Sequence, residues 1–174
     1  MKRREFIAAS AALAATSLLP ETPAWARGRT LRLGLIGTGM RGQVLLKELV
    51  RRDDVEVVAL CDIEPIMLKK GMDMVAKPGK PAPQAYGQDG DKNAFKRLLE
   101  QRGLDGVIIA TPWEYHAPMA IAAMQAKVAV GCEVVAGITL QDHWDVLKTQ
   151  LSTGTPYMLL ENVCYRRDVM AALQ

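Results

Sequence analysis

Short apolar runs alternate with amphipathic stretches along most of this chain. Residues 31–37, 55–61, 105–110, 128–134 and 157–160 form runs of four to seven mostly apolar residues, the length of a buried strand. Between them, 40–52, 65–75, 91–102, 117–126 and 140–152 carry apolar positions at helical spacing. On 40–52 the period turns Val44, Leu45 and Leu49 toward the sheet, with Leu46 beside them. On 91–102 it groups Phe95, Leu98 and Leu99 on one face. Pro65 suits a first helical turn, and Gly103 and Gly154 stand where left-handed caps end helices. Residues 77–91, rich in Pro and Gly, read as a loop. Strands apolar on both faces, alternating with helices, predict an α/β fold: a doubly wound parallel sheet covered on both sides. Ligands of such sheets bind beyond the carboxyl ends of the strands. Here those ends are Gly37, Asp62, Thr111, Glu133 and Glu161.

Composition changes this picture little. The 174 residues are 49% hydrophobic and 24% charged, enough for one domain with a real core. A small, scattered net charge of +3 with no run of five like charges points away from nucleic acid. The three cysteines, Cys61, Cys132 and Cys164, are widely spaced and form no disulfide framework or metal pattern, so buried free thiols are expected. The first residues stand apart. Lys2-Arg3-Arg4, an alanine-rich apolar stretch from Ile7 to Leu19 and Ala24-Trp25-Ala26 follow the order of a twin-arginine export leader with a cleavage site. The apolar stretch is shorter than the ~20 residues of a membrane span, so no stable membrane anchor is expected. Residues 1–26 are therefore read as a signal for export to the periplasm or beyond.

The chemistry begins where the first run meets the first helix. Gly37-Thr38-Gly39-Met40-Arg41-Gly42 is G-x-G-x-x-G between a strand and a helix, and Asp62 closes the second strand twenty residues on. Together these form the fingerprint of a dinucleotide-binding βαβ unit. Gly37 permits the tight turn, Gly39 the approach of a pyrophosphate to the backbone, and Gly42 close helix-to-strand packing. The helix N-terminus offers unpaired N–H groups and a positive dipole end. Asp62 is expected to accept hydrogen bonds from both hydroxyls of an adenosine ribose and to repel a 2′-phosphate, which favours NAD over NADP.

Further clusters sit at the other strand ends. Thr111-Pro112-Trp113-Glu114-Tyr115-His116 forms a turn placed to meet a nicotinamide ribose. In it Trp113 can stack on a ring, and His116 can bond sugar hydroxyls or move a proton. The competing reading is a capping turn with both side chains packed. Glu133 offers a carboxylate to the same ribose, or is a buried structural acid. Asn162 can hold a carboxamide or a ribose hydroxyl. Arg166 and Arg167 read as an exposed basic pair, and His143 as a surface histidine. No H-E-x-x-H, His/Cys cluster or G-x-S-x-G occurs, so metal hydrolysis and serine catalysis lack support and no metal is expected.

The stretches 37–42, 110–124, 132–134 and 160–171 resemble the Gfo/Idh/MocA oxidoreductases. More narrowly they are similar to the NAD-dependent branch classed as glycoside hydrolase family 109, whose known activity is α-N-acetylgalactosaminidase. The resemblance covers residues 31–174, and W113-E-Y-H116 and E161-N-V-C-Y-R-R167 are its most specific parts. It implies that Met40 and Arg41 contact cofactor phosphates and that Asp62 holds the adenosine ribose. Trp113, Glu114, Tyr115, His116, Glu133, Val134 and Asn162 would line the nicotinamide half. Where the wider family carries Glu-Lys-Pro, this chain reads Glu133-Val134-Val135. The lost lysine argues against an ordinary sugar dehydrogenase and agrees with the glycosidase branch.

The mechanism implied there oxidises a sugar hydroxyl at C3, eliminates the glycosidic leaving group, adds water and returns the stored hydride, so NAD is regenerated at each turnover. The substrate is a small carbohydrate, and homo-oligomers are compatible with the full-length form. Residues 27–161 are assigned to the dinucleotide-binding domain and 162–174 to the start of a second domain. The substrate-binding part lies in that second domain, so the 174 residues are expected to behave as a fragment that binds NAD weakly and turns over nothing. A sugar or cyclitol dehydrogenase and a non-catalytic nucleotide-binding module are the alternatives.

Overall fold

The computed structural model describes residues 28–76 and 81–172. The export-leader reading, on residues 1–26, lies outside them. Six parallel strands form one sheet in the order β3-β2-β1-β4-β5-β6. The strands are β1 (Leu31–Ile36), β2 (Val55–Cys61), β3 (Gln84–Tyr86), β4 (Gly106–Ile109), β5 (Ala129–Glu133) and β6 (Tyr157–Leu160). The helices between and after them are α1 (Met40–Leu49), α2 (Pro65–Val75), α3 (Ala94–Leu99), α4 (His116–Gln125), α5 (Leu140–Thr153) and α6 (Arg167–Ala172). This is the doubly wound order of dinucleotide-binding sheets, with the strand order reversing at β1.

The alternation of side chains along each strand builds two cores. Leu35 of β1 and Leu60 of β2 face α1 and α2, where Leu46 and Leu68 are buried with them. Their neighbours Ile36, Ala59 and Cys61 face the other way, onto α3, α4 and α5 through Phe95, Leu98, Met119, Met124 and Val146. A strand lined on both faces is a continuous apolar run, which is why the runs in the sequence show no clean period of two.

The structure corrects the sequence reading in four places. The stretch 77–91, read as loop, contains β3. Its three residues pair only with β2, at the edge of the sheet, and so carry no periodicity of their own. On α1 the fully buried residue is Leu46, while Val44 is 53% exposed. The helix read over 91–102 is confined to Ala94–Leu99, because Asp91 and Asn93 are used in turns before it. Cys164 is exposed, unlike Cys61 and Cys132. Burial pushes both of those thiols up to about 12. Among the described residues no helix is long and apolar enough to cross a membrane.

Candidate functional site

The turn from β1 into α1 is built by glycines under different constraints. Gly37 has φ +91°, and a Cβ there would lie 2.7 Å from the Ala110 carbonyl. A Cβ on Gly42 would come 1.9 Å from the Gly37 carbonyl oxygen, so α1 rests directly on the turn. Gly39 is different. It precedes α1, and a Cβ on it meets nothing within 4 Å. The packing of the chain does not require glycine at that position, whereas a ligand pressed against the backbone does. No side chain caps the N-terminus of α1, so its first amides stay available.

Asp62, just past β2, faces this turn. Its Oδ2 accepts the Thr38 amide at 2.6 Å and the Thr38 hydroxyl at 3.0 Å. Its Oδ1 accepts the Glu64 amide at 2.9 Å. A carboxylate has about four lone-pair positions, so one, on Oδ1, remains open. The sequence reading gave Asp62 both ribose hydroxyls; the chain itself already places three donors on that carboxylate. Gln43 steadies the same turn from α1, donating Nε2 to the Thr38 carbonyl at 2.8 Å.

Gly37, Gly39, Asp62, Met67, Phe95 and Tyr115 line a cleft of about 370 Å³ that also takes in Thr111 and Pro112 from the turn after β4. A second cavity, about 260 Å³, opens between α1 and the tips of β5 and β6. Arg41, Glu133, Asn162 and Tyr165 line it. Arg41 Nη2 stands 2.7 Å from Glu133 Oε1. That contact is one of charge, off the line of a hydrogen bond, and Oε1 is otherwise buried without a partner. The predicted site residues therefore divide into an Asp62 group and a Glu133 group, with the α1 N-terminus between them.

The remaining candidates are placed as follows. Met40, Trp113 and Glu114 are exposed and line neither cavity. Val134 is half-buried, and the Val134–Val135 peptide is cis. His116 is buried, with Nδ1 2.6 Å from the Val135 carbonyl oxygen and Nε2 2.8 Å from that of Thr111. Both ring nitrogens are engaged, and the ring clasps the loops after β4 and β5. Both partners are carbonyl oxygens, which only accept, so the ring lies packed between the two loops. Asn162 and the pair Arg166 and Arg167 are exposed, Arg166 pairing with Asp168 at 2.6 Å. His143 lies exposed on α5. Among the described residues no group of His, Cys, Asp and Glu is placed to hold a metal ion.

Sequence reasoning missed Thr38, Gln43, Met67 and Phe95 as builders of the site. One signal was available. Gly71 falls inside α2, and a glycine inside a helix often marks a close approach. A Cβ there would lie 3.0 Å from the Thr38 methyl.

Comparison with known proteins agrees with this geometry. The profile of the Gfo/Idh/MocA oxidoreductase family, described by its NAD-binding Rossmann fold, matches residues 31–158. A glycosyl hydrolase family 109 protein of Stenotrophomonas maltophilia is 88% identical over all 174 residues, which make up 38% of its length. An alpha-N-acetylgalactosaminidase of Tannerella forsythia is 44% identical over 153 residues, 87% of this chain and 32% of that protein. Among solved structures, scyllo-inositol dehydrogenase of Lactobacillus casei with bound NAD(H) and scyllo-inositol superposes with a TM-score of 0.70 at 15% identity, over 83% of this chain and 40% of that one. The chain thus spans about two-fifths or less of the length of the proteins it matches.

Proposed function

Because this chain belongs to the Gfo/Idh/MocA oxidoreductase family, we propose that it forms the cofactor-binding part of an NAD-dependent glycosidase acting on N-acetylgalactosaminides or related glycosides. The observation that carries the cofactor half is Gly39: it opens onto free space beside an uncapped helix N-terminus, with Asp62 across the cleft. The uncapped amides of α1 suit a pyrophosphate, and the open position on Asp62 Oδ1 suits a ribose hydroxyl. The negative charge of Asp62 disfavours a 2′-phosphate beside it. A nicotinamide bound in this fold supplies reversible acceptance of a hydride.

The glycosidase half rests on kinship and on one departure. The family 109 relatives share 88% and 44% identity with the chain. Glu133-Val134-Val135 replaces the Glu-Lys-Pro of the wider family, which removes the lysine an ordinary dehydrogenase of this type would place beside its substrate. Without that lysine, this stretch offers a carboxylate and no cationic proton donor. Glu133 meets Arg41 at the second cavity, so the charge of each side chain is balanced there by the other.

Two measurements test the two halves. Calorimetric titration with NAD should give a binding isotherm that weakens about tenfold or more in Asp62→Ala, the loss of a hydrogen bond to a charged acceptor. Equal affinity in the two proteins would remove Asp62 from the site. For the activity, this chain replaces the matching part of the Stenotrophomonas relative. The chimera should release the leaving group of an aryl N-acetylgalactosaminide without net accumulation of NADH. NADH building up with a sugar or cyclitol would instead mark a dehydrogenase.

A further inference from the structure

We infer that Thr38 is a positioning residue: it occupies both acceptor positions of Asp62 Oδ2, so that Asp62 reads one adenosine ribose hydroxyl through Oδ1 alone. This rests on the ribose-binding role proposed above for Asp62. Thr38 is fully buried, and its amide and hydroxyl both point at the same oxygen, at 2.6 and 3.0 Å. Two donors on one oxygen fix the rotation of the carboxylate, and the Glu64 amide at 2.9 Å fixes the other oxygen from the far side. Three of about four lone-pair positions are then filled before any ligand arrives. Thr38 is itself held. Its carbonyl accepts from Gln43, and its methyl lies against Gly71, where even a Cβ would come within 3.0 Å. A serine at this position would keep the hydroxyl, and a valine would keep the shape while losing it.

The hydroxyl acts on cofactor only through Asp62, and this distinguishes it from a merely structural threonine. Calorimetric titration with NAD is carried out on the unmodified chain, Thr38→Val, Thr38→Ser, Asp62→Ala and the double variant Thr38→Val/Asp62→Ala. Thr38→Val should weaken binding about tenfold, Thr38→Ser less than about twofold, and Thr38→Val should cost nothing further in the Asp62→Ala background. Equal binding by Thr38→Val, equal loss in Thr38→Ser, or the same loss with and without Asp62 overturns the inference. If Asp62→Ala weakens NAD while Thr38→Val does not, the Thr38 role alone fails. If Asp62→Ala binds as before, the ribose reading fails and takes this inference with it. A measurement on the unmodified chain needs no variant to fold. Analogues of NAD lacking the 2′- or the 3′-hydroxyl of the adenosine ribose should lose affinity unequally, one about tenfold and the other less than about twofold. Equal losses would again overturn a single-acceptor Asp62.

Discussion

Gly39 and Gly42 belong to the same six-residue motif, yet the structure gives them separate duties. A methyl group on Gly42 would meet backbone, at 1.9 Å from the Gly37 carbonyl oxygen. No rotamer relieves such a contact, so α1 must move away from the turn. Gly42→Ala should therefore cost at least about 3 kcal/mol of folding stability, in the upper range for overpacking. A methyl group on Gly39 would meet nothing of the chain itself. Gly39→Ala should change stability by less than about 1 kcal/mol, the scale of an N-cap exchange, while weakening NAD more than about tenfold. Urea melts and NAD titrations of the two variants check this. Similar stability losses in both would show that Gly39 is held by the fold and not kept clear for a ligand. The motif alone signals all three glycines, and only their surroundings divide them between folding and binding.

At the scale of elements, α5 is the best-defined helix. Thr139 accepts the Asp142 amide through its hydroxyl at 3.1 Å, and the Asp142 carboxylate accepts the Thr139 amide at 2.8 Å, a capping box. Gly154 ends the helix in the left-handed conformation, as its place in the sequence predicts. The amide of Thr139, then its hydroxyl, hold the Asp142 carboxyl below its ordinary value. A carboxyl depressed on folding contributes stability that is present above its unfolded pKa, about 3.9. That contribution is lost as pH falls through the lower folded value. Acidification below about pH 4 should therefore lower the thermal midpoint less in Asp142→Asn than in the unmodified chain. Equal slopes would show that the box does not couple to stability. Thr139→Ala should cost about 1 kcal/mol.

The glycine end of this helix was legible because capping is local. Also legible were five of the six strands, the parallel sheet and the glycine–acid fingerprint, each carried by a run or a spacing. β3 was hidden because three edge residues are too few to show a pattern. The buried face of α1 was misjudged at one residue: Val44 is exposed, and Leu46, read at the edge of that face, is its fully buried residue. Gly42 brings the start of the helix close against the turn, and the hydrophobic period does not record that contact. The engagement of Asp62 Oδ2 by Thr38 depends on where two strand ends meet, and no spacing reports that.

At the scale of the whole molecule, the cleft is a joint. Gly37 and Gly39 follow β1, Asp62 and Ile63 follow β2, and Thr111 and Pro112 follow β4, so three adjacent strands each send a loop to one cavity. Its walls draw on both cores, because Phe95 and Met119 come from one side of the sheet and the turn at Thr38 leans on α2 on the other. A ligand held by all three loops cannot bind a chain in which any one of them has come apart. It should stabilise the domain as a unit and leave no part of it to melt separately. For a ligand that binds only the folded state, a concentration of about 100 times Kd adds roughly 2.7 kcal/mol. For a domain of this size that raises the thermal midpoint by about 5 to 10 °C. Scanning calorimetry with NAD should show one transition moving upward by that amount. With Asp62→Ala at the same NAD concentration the gain should shrink by roughly 1.4 kcal/mol, the equivalent of a tenfold weaker Kd. A midpoint that NAD leaves in place would mean that the loops do not share a ligand. A transition that splits in two would mean that the sheet does not melt as one body. The first outcome would remove the cofactor from the cleft, and the second would leave it bound to only part of the fold.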